Sequence, residues 1–392
     1  MKASFFDSQS LCFFGALGLY ALFGSPTPDS IGVVEVVMGL LMALSLRIEN
    51  IRSNIGGWLV LLLGLVVPLI TGLIRGQDFQ SQIRDIIPFL FLFLPLFYGW
   101  VIQQKTSYFL FSLTIVGLLF SLRSIWSYRD ILMTPFLWGH GPPADLLYLA
   151  NSPEVLFSAL YCLGMGGVFL LRDRLFIKGV GVILISFIPV LAMALMMQRA
   201  GLGAVVFVLV LFFGYLLAVR PRQAILILMV VVGIGVAAFP IIQSVFITMW
   251  QKTELVGLNS RQQEWAAVWD IIRSDWGVAL FGKGWGGHID NPAVGGLSVN
   301  YTHSLLSFLL LKTGILGAVI IGAGVALSVF RGGRALFYTD KVEFILVLAL
   351  FLPFLISFFL YASYKSLGFG LILLAFSHLS SRKLEKNPLS VS

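Results

Sequence analysis

Residues 55–74 read IGGWLVLLLGLVVPLITGLI, twenty positions in a row without a charged side chain. At about 1.5 Å per residue a helix of that length covers about 30 Å, the thickness of a bilayer's hydrocarbon core. Backbone amides inside hydrocarbon must bond to one another, so such a stretch crosses as a helix. The same signature recurs on both sides of it. Spans are expected near Leu11–Phe23, Ile31–Leu46, Ile55–Ile74, Ile86–Ile102, Tyr108–Leu122 and Val155–Leu171. A second group follows near Gly179–Met197, Leu202–Val219, Ala224–Phe246, His303–Phe330, Val342–Leu360 and Leu367–His378. The expectation is an all-α polytopic membrane protein of about 12 transmembrane helices, a single transmembrane domain over residues 1–392.

Composition agrees. The chain is 58% hydrophobic and 11% charged, with a mean hydropathy of +0.96, against roughly 25% charged residues in a soluble domain. Soluble enzyme folds, disordered chains and disulfide scaffolds are excluded. Cys12 and Cys162 both fall inside apolar runs, so they are expected as core residues rather than as disulfide or zinc ligands. The net charge of +8 is scattered through short loops, a topology signal that argues against nucleic acid as a partner.

Alternate loops sort by charge. Arg47 and Arg52, Lys105, Arg172 with Arg174 and Lys178, Arg220 and Arg222, Arg331 with Arg334 and Lys341, and the tail Arg382, Lys383 and Lys386 form the basic set, expected on the cytoplasmic side with both termini. The opposite set holds two long loops, residues 123–153 and 248–302, both expected to be extracytoplasmic. The first run opens without a strongly basic stretch or a small-residue cleavage site, so a retained helix is expected there rather than a signal peptide. No internal duplication of the kind that marks many transporters is visible.

The 248–302 loop has internal design. Ser260 and Gln263 have capping-box spacing, and Trp265, Val268, Trp269 and Ile272 recur at three- and four-residue intervals, as in an amphipathic helix lying on the membrane surface. Arg261 falls in the first turn, where free N–H groups already favour an anion. On this local ground alone Arg261 is a phosphate ligand or a headgroup-contacting arginine. Gly282, Gly284, Gly286 and Gly287, with Lys283 among them, form a run that allows close backbone approach to a ligand. It lacks the Ser or Thr of a nucleotide-binding loop. His303, beside Asn300, Tyr301, Thr302 and Ser304, sits at the outer mouth of the tenth span, where a neutral imidazole can take a proton from a hydroxyl or serve as an interfacial hydrogen-bonding group. Arg199 stands between two apolar runs with no acidic residue within ten positions, so it either snorkels to lipid phosphate or waits for an anionic ligand.

In combination these features resemble the O-antigen ligase and polymerase family of bacterial membrane glycosyltransferases, over essentially the whole chain. His303-Ser304, nine residues, Gly314, two residues and Gly317 resemble the ligase histidine motif. Arg261 with Trp265 and the Phe281–Gly287 run resemble the family's arginine, tryptophan and glycine sequence ahead of that histidine, and Arg199 resembles its arginine on an earlier outer turn. There are departures: Ser304 replaces the usual Asn, and Leu202 falls one position early relative to the arginine motif. The resemblance implies inverting, metal-independent transfer of a glycan from an undecaprenyl diphosphate-linked donor to a sugar hydroxyl of lipid A-core, at the outer face of the bacterial inner membrane. The alternative on the same scaffold is a repeat-unit polymerase with a growing polysaccharide as acceptor. A lipid-linked-sugar transporter is a third class, for which Glu35 and Lys312 would be the intramembrane charges. The resemblance implies His303 as catalytic base and Arg199 and Arg261 as diphosphate ligands, with membrane lipids as surroundings. By position alone, Arg84 beside Asp85 and Lys365 beside Tyr364 in the last outer turn either add to a positive funnel or anchor lipid headgroups, and Tyr301 and Lys283 are further auxiliary candidates. No cofactor is implied.

The expected outer loops contain no Asp-x-Asp pair, and guanidinium groups can stand in for a metal beside a diphosphate. Purified protein should therefore transfer glycan at an unchanged rate in excess EDTA. A loss restored by magnesium or manganese would point instead to ligands among Asp145, Glu254, Asp270, Asp275 and Asp290.

Overall fold

A computed structural model describes residues 7–26, 32–47, 54–133, 148–171, 175–222, 224, 225, 243, 247, 259–338 and 341–386. Most of the expected ninth span, His140, Asp145 and Glu254 lie outside the described residues. The described elements run α1 (Ser8–Phe23), α2 (Val33–Leu44), α3 (Ile55–Ile74), α4 (Phe79–Phe91), α5 (Leu94–Met133), α6 (Pro153–Leu171), α7 (Phe176–Leu195) and α8 (Arg199–Val219). They continue with α9 (Asn259–Ser274), α10 (Trp276–Phe281), β1 (Ile289–Asn291), β2 (Leu297–Val299), α11 (Leu305–Tyr338), α12 (Lys341–Phe359) and α13 (Leu367–Lys386).

Charged residues mark two ends of the bundle. Asp7 caps α1 by accepting from the Ser10 N–H, and its carboxylate also pairs with Arg47, which follows α2 and lies 3.9 Å over the Trp100 ring. Asp7, Arg47 and Trp100 therefore share one end. At the other, Arg123 donates to the carbonyls of Ala21 (3.1 Å) and Gly24 (2.8 Å), where α1 stops. Helix α5 reaches both ends because it folds back at Lys105, whose φ of −136° and ψ of 38° are not helical. The ring of Phe13 shows the reversal, lying 5.2 Å from Tyr98 and 6.2 Å from Phe109, positions that a straight helix would hold about 16 Å apart.

Among the described residues six helices are long and apolar enough to cross a membrane: Ile55–Ile74, Phe79–Arg129, Pro153–Leu170, Phe176–Leu195, Arg199–Val219 and Leu305–Leu327. Ser8–Phe23, Val33–Leu44, Phe344–Phe359 and Leu367–Ser377 are shorter apolar helices. The protein is thus a helical membrane protein, with β1 and β2 as a small antiparallel hairpin that pairs Ile289 with Val299 and Asn291 with Leu297. Helices α6 and α13 form the centre, where Val155, Phe157, Phe369, Leu371 and Leu374 are enclosed. Helices α2, α3, α7 and α8 turn Leu44, Ile74, Phe187 and Val210 outward, which is stable against lipid tails as apolar as the side chains themselves.

Four sequence expectations are corrected. The loop expected from Arg123 begins later, because α5 stays helical to Met133, with Arg129 stacked 4.0 Å over Trp126. Ser260 lies inside helix α9 (Asn259–Ser274) and is not its cap. Glu35 lies at the start of its helix rather than in the middle of it: it is in the first turn of α2 and accepts from the Gly32 N–H at 2.9 Å. The glycine run is not open to a ligand, because its N–H groups already have protein acceptors. Lys283 and Gly284 donate to the carbonyls of Leu311 and Lys312, Trp285 donates to Pro68, and Gly286 donates to Asp85 Oδ2 at 2.7 Å.

A buried ion pair fastens this run. Lys312 Nζ lies 2.5 Å from Asp85 Oδ2 and also donates to the Gly287 carbonyl at 2.5 Å, and both charged side chains are fully enclosed. Gly282 and Gly314 make the close approach possible. Both have positive φ (72° and 66°), and a Cβ on Gly314 would come within 2.4 Å of the Leu280 backbone. Gly314 breaks α11 at the point where α10 ends against it.

Removing one member of a buried pair strands the other charge, at a cost of roughly 3–5 kcal/mol. Lys312→Met should therefore lower the melting temperature of the protein in nanodiscs more than the double change Asp85→Asn/Lys312→Met. An equal or larger loss in the double variant would show that the two charges do not compensate each other.

Candidate functional site

Glu264 organises the site. Helix α9 carries Glu264, Val268 and Ile272 at four-residue spacing, so they share one face, and all three are buried. Trp265 and Trp269 belong to a neighbouring face and remain 38% and 39% exposed, so the expected apolar stripe is divided between protein interior and surface.

The Glu264 carboxylate holds His303 by two atoms. Oε2 lies 2.5 Å from His303 Nδ1, and Oε1 accepts from the His303 backbone N–H at 2.7 Å. Asn291, at the end of β1, donates Nδ2 to Oε2 at 3.0 Å, and its Oδ1 accepts from the Ala293 N–H. Burial raises the Glu264 carboxyl above its ordinary range, opposed by the Asn291 hydrogen bond and the Arg261 charge. With Nδ1 facing the carboxylate, the hydrogen-bond network assigns the neutral imidazole's proton to Nδ1, which leaves Nε2 as the basic nitrogen.

Arg261 stands one turn before Glu264, with Nη1 4.0 Å from Oε2. That Nη1 is buried and makes no hydrogen bond among the described residues. Burial lowers the Arg261 ionisation, and Glu264, Tyr361 and Tyr301 pull it back up. Tyr361, which follows α12, lies within electrostatic reach of both Arg199 and Arg261, and the Ala200 N–H reaches its hydroxyl. Arg199 is the first residue of α8 and follows a tight turn in which Met197 has a φ of 54°, uncommon for a residue with a Cβ.

The Tyr301 ring meets the His303 ring edge-on at 5.8 Å, and Lys365 Nζ lies 5.0 Å over Tyr301 and 5.6 Å over Phe308. Tyr364 donates to the Thr302 carbonyl at 2.9 Å, which fixes the turn leading into His303. Exposed Arg84 is within electrostatic reach of Lys365.

Of the residues singled out from sequence, His303, Arg261, Tyr301 and Lys365 come together directly. Arg199 joins them through Tyr361, and Arg84 approaches through Lys365. Lys283 is not among them: its Nζ donates to the His288 carbonyl at 2.7 Å and serves the glycine turn. Glu264, Asn291 and Tyr361 were missed. The available signal for Glu264 was a lone carboxylate in register with Val268 and Ile272 on an otherwise apolar face. The sequence matches no family model and no curated protein.

Nitrogen-15 NMR of histidine-labelled protein should find neutral His303 protonated at Nδ1, and Glu264→Gln should shift the population toward the Nε2–H form. An Nε2–H form in the wild type would show that the carboxylate does not set the tautomer.

Proposed function

We propose that the protein is a membrane glycosyltransferase that moves a glycan from an undecaprenyl diphosphate donor to an acceptor sugar hydroxyl, with inversion at the anomeric carbon. The observation that carries this reading is the single turn of α9 that pairs Glu264 with His303 and holds Arg261 beside them with a buried Nη1 that makes no hydrogen bond among the described residues. A general base and an anion ligand thus meet at one point.

In the proposed reaction His303 Nε2 takes the proton of the acceptor hydroxyl as its oxygen attacks the anomeric carbon. The bond from that carbon to the phosphate oxygen breaks, and its electron pair leaves on the diphosphate. Arg199 and Arg261 hold the growing negative charge, in a partly dehydrated site where such contacts act strongly. Glu264 stabilises the imidazolium that forms and keeps the ring in its productive tautomer. Attack on the face opposite the leaving group inverts the centre.

Ligase activity toward lipid A-core is favoured over repeat-unit polymerisation by the His303 to Gly317 pattern. Transport is disfavoured because Lys312 and Asp85 are locked to each other and to the Gly286–Gly287 backbone, which leaves no chain of titrating groups through them. In this proposal the helices make about 12 spans, the 248–302 segment lies on the periplasmic side of the bacterial inner membrane, and the basic loops face the cytoplasm.

The test is transfer by purified protein given lipid-linked donor and acceptor. His303→Ala should slow turnover by a factor of roughly 10² to 10⁴ while donor binding survives. Lysine at Arg199 or Arg261 keeps the charge but loses the planar fork, and should cost about tenfold or more. Wild-type rates in both lysine variants, at normal membrane abundance, would overturn the diphosphate assignment.

A further inference from the structure

We propose that Lys365 is a third ligand for the donor's diphosphate and takes up a proton as the diphosphate binds; this rests on the transfer reading above.

Lys365 ends a short 3-10 turn, Ala362–Lys365, between α12 and α13. Its Nζ lies over the faces of Tyr301 and Phe308, and among the described residues no carboxylate lies within ion-pair distance of it. Ring faces substitute only weakly for the water or anion that an ammonium ordinarily holds. The groups that face it come from every element around it. Helix α4 supplies Asp85 and Arg84, α11 supplies Lys312, the segment before α11 supplies Tyr301 with His303 behind it, and Tyr364 stands beside it in its own turn.

Asp85 does not neutralise Lys365. Its Oδ2 already serves Lys312 and the Gly286 N–H, and its Oδ1 is buried without a hydrogen bond among the described residues. Two further cations, Lys312 and Arg84, act on Lys365 as well. Lys365 is half-buried by its accessible surface; desolvation, the largest effect, pushes the ammonium down to about 7, Asp85 raises it, and Lys312 and Arg84 lower it further. Near neutral pH Lys365 is therefore partly deprotonated, which limits its repulsion with Lys312 and Arg84.

An anion reverses this. Tyr301 lies within electrostatic reach of Arg261 and 5.0 Å beneath Lys365, so a diphosphate held by Arg261 favours the charged ammonium and its binding draws a proton from solvent. The sign follows by linkage. Binding raises the ionisation of Lys365, so affinity is greatest below about pH 7 and weakens by up to about tenfold per pH unit above it, as the proton must be supplied from a more dilute pool. Departure of the diphosphate product returns that proton.

The experiment uses full-length protein in nanodiscs and farnesyl diphosphate as probe, titrated by calorimetry between about pH 6 and pH 9 in buffers of different ionisation enthalpy. Wild type should take up a proton approaching one per diphosphate near the alkaline end, with affinity falling as the pH rises. Lys365→Arg should bind with little pH dependence and without that uptake, because a guanidinium stays charged throughout the range. Lys365→Met should bind about tenfold or more weakly at the acid end, also without the uptake. Binding by wild type with no proton uptake would overturn the proposal and leave the transfer reading intact. Uptake that persists in Lys365→Arg would overturn it too and assign the proton to His303. No binding at any pH would overturn both.

Discussion

The Asp85–Lys312 ion pair is the constraint on which the site depends. It joins α4 to α11 within the protein, and through the Gly286 N–H and the Gly287 carbonyl it also fixes the chain between them. Two ions taken out of water make a poor bond by themselves, because desolvation offsets most of their attraction. Their value here is positional. The backbone polar groups of a glycine turn supply what the pair still lacks, and the pair gives that turn one possible seat. The hairpin and the turn at His303 start from that seat. Asn291 can therefore reach Glu264, and Glu264 can reach both His303 Nδ1 and its backbone.

Much of this was legible in the sequence, for physical reasons that differ from element to element. Apolar runs such as 55–74 announce helices because hydrocarbon offers the backbone no other partner. The fold-back at Lys105 was legible as a basic interruption between two such runs. The hairpin was not, since Ile289–Asn291 and Leu297–Val299 are too short for alternation to stand out. His303 and Arg261 stood out as polar residues in an apolar setting. Glu264 escaped because its meaning lies in a contact with a residue thirty-nine positions away. The glycine run was recognised as a place of close approach, yet what approaches is the chain's own backbone at Leu311, Lys312 and Pro68 rather than a ligand.

The charges around His303 are arranged with economy. Arg199 and Arg261 both lie within electrostatic reach of the Tyr361 hydroxyl, which the Ala200 N–H also reaches. Glu264 is the one buried carboxylate in direct contact with the imidazole among the described residues, and it lies near enough to Arg261 to feel its charge without making a close pair. A shorter contact would neutralise the arginine, and a longer one would leave the carboxylate without its compensation. At 4.0 Å the guanidinium keeps a buried donor unfilled among the described residues.

The break in α11 at Gly314 has a mechanical meaning. Membrane helices adjust their tilt when bilayer thickness changes, and a continuous helix would carry that adjustment from the lipid to its tip. Here the rigid run ends at Gly314, where the chain is gripped by the end of α10. Residues 305–313 are tied to the glycine seat through the Leu311 and Lys312 carbonyls, whereas the limb beyond Gly314 is not part of that contact. A tilt of the limb beyond Gly314 would therefore reach His303 through a break held by the end of α10, not through a continuous helix.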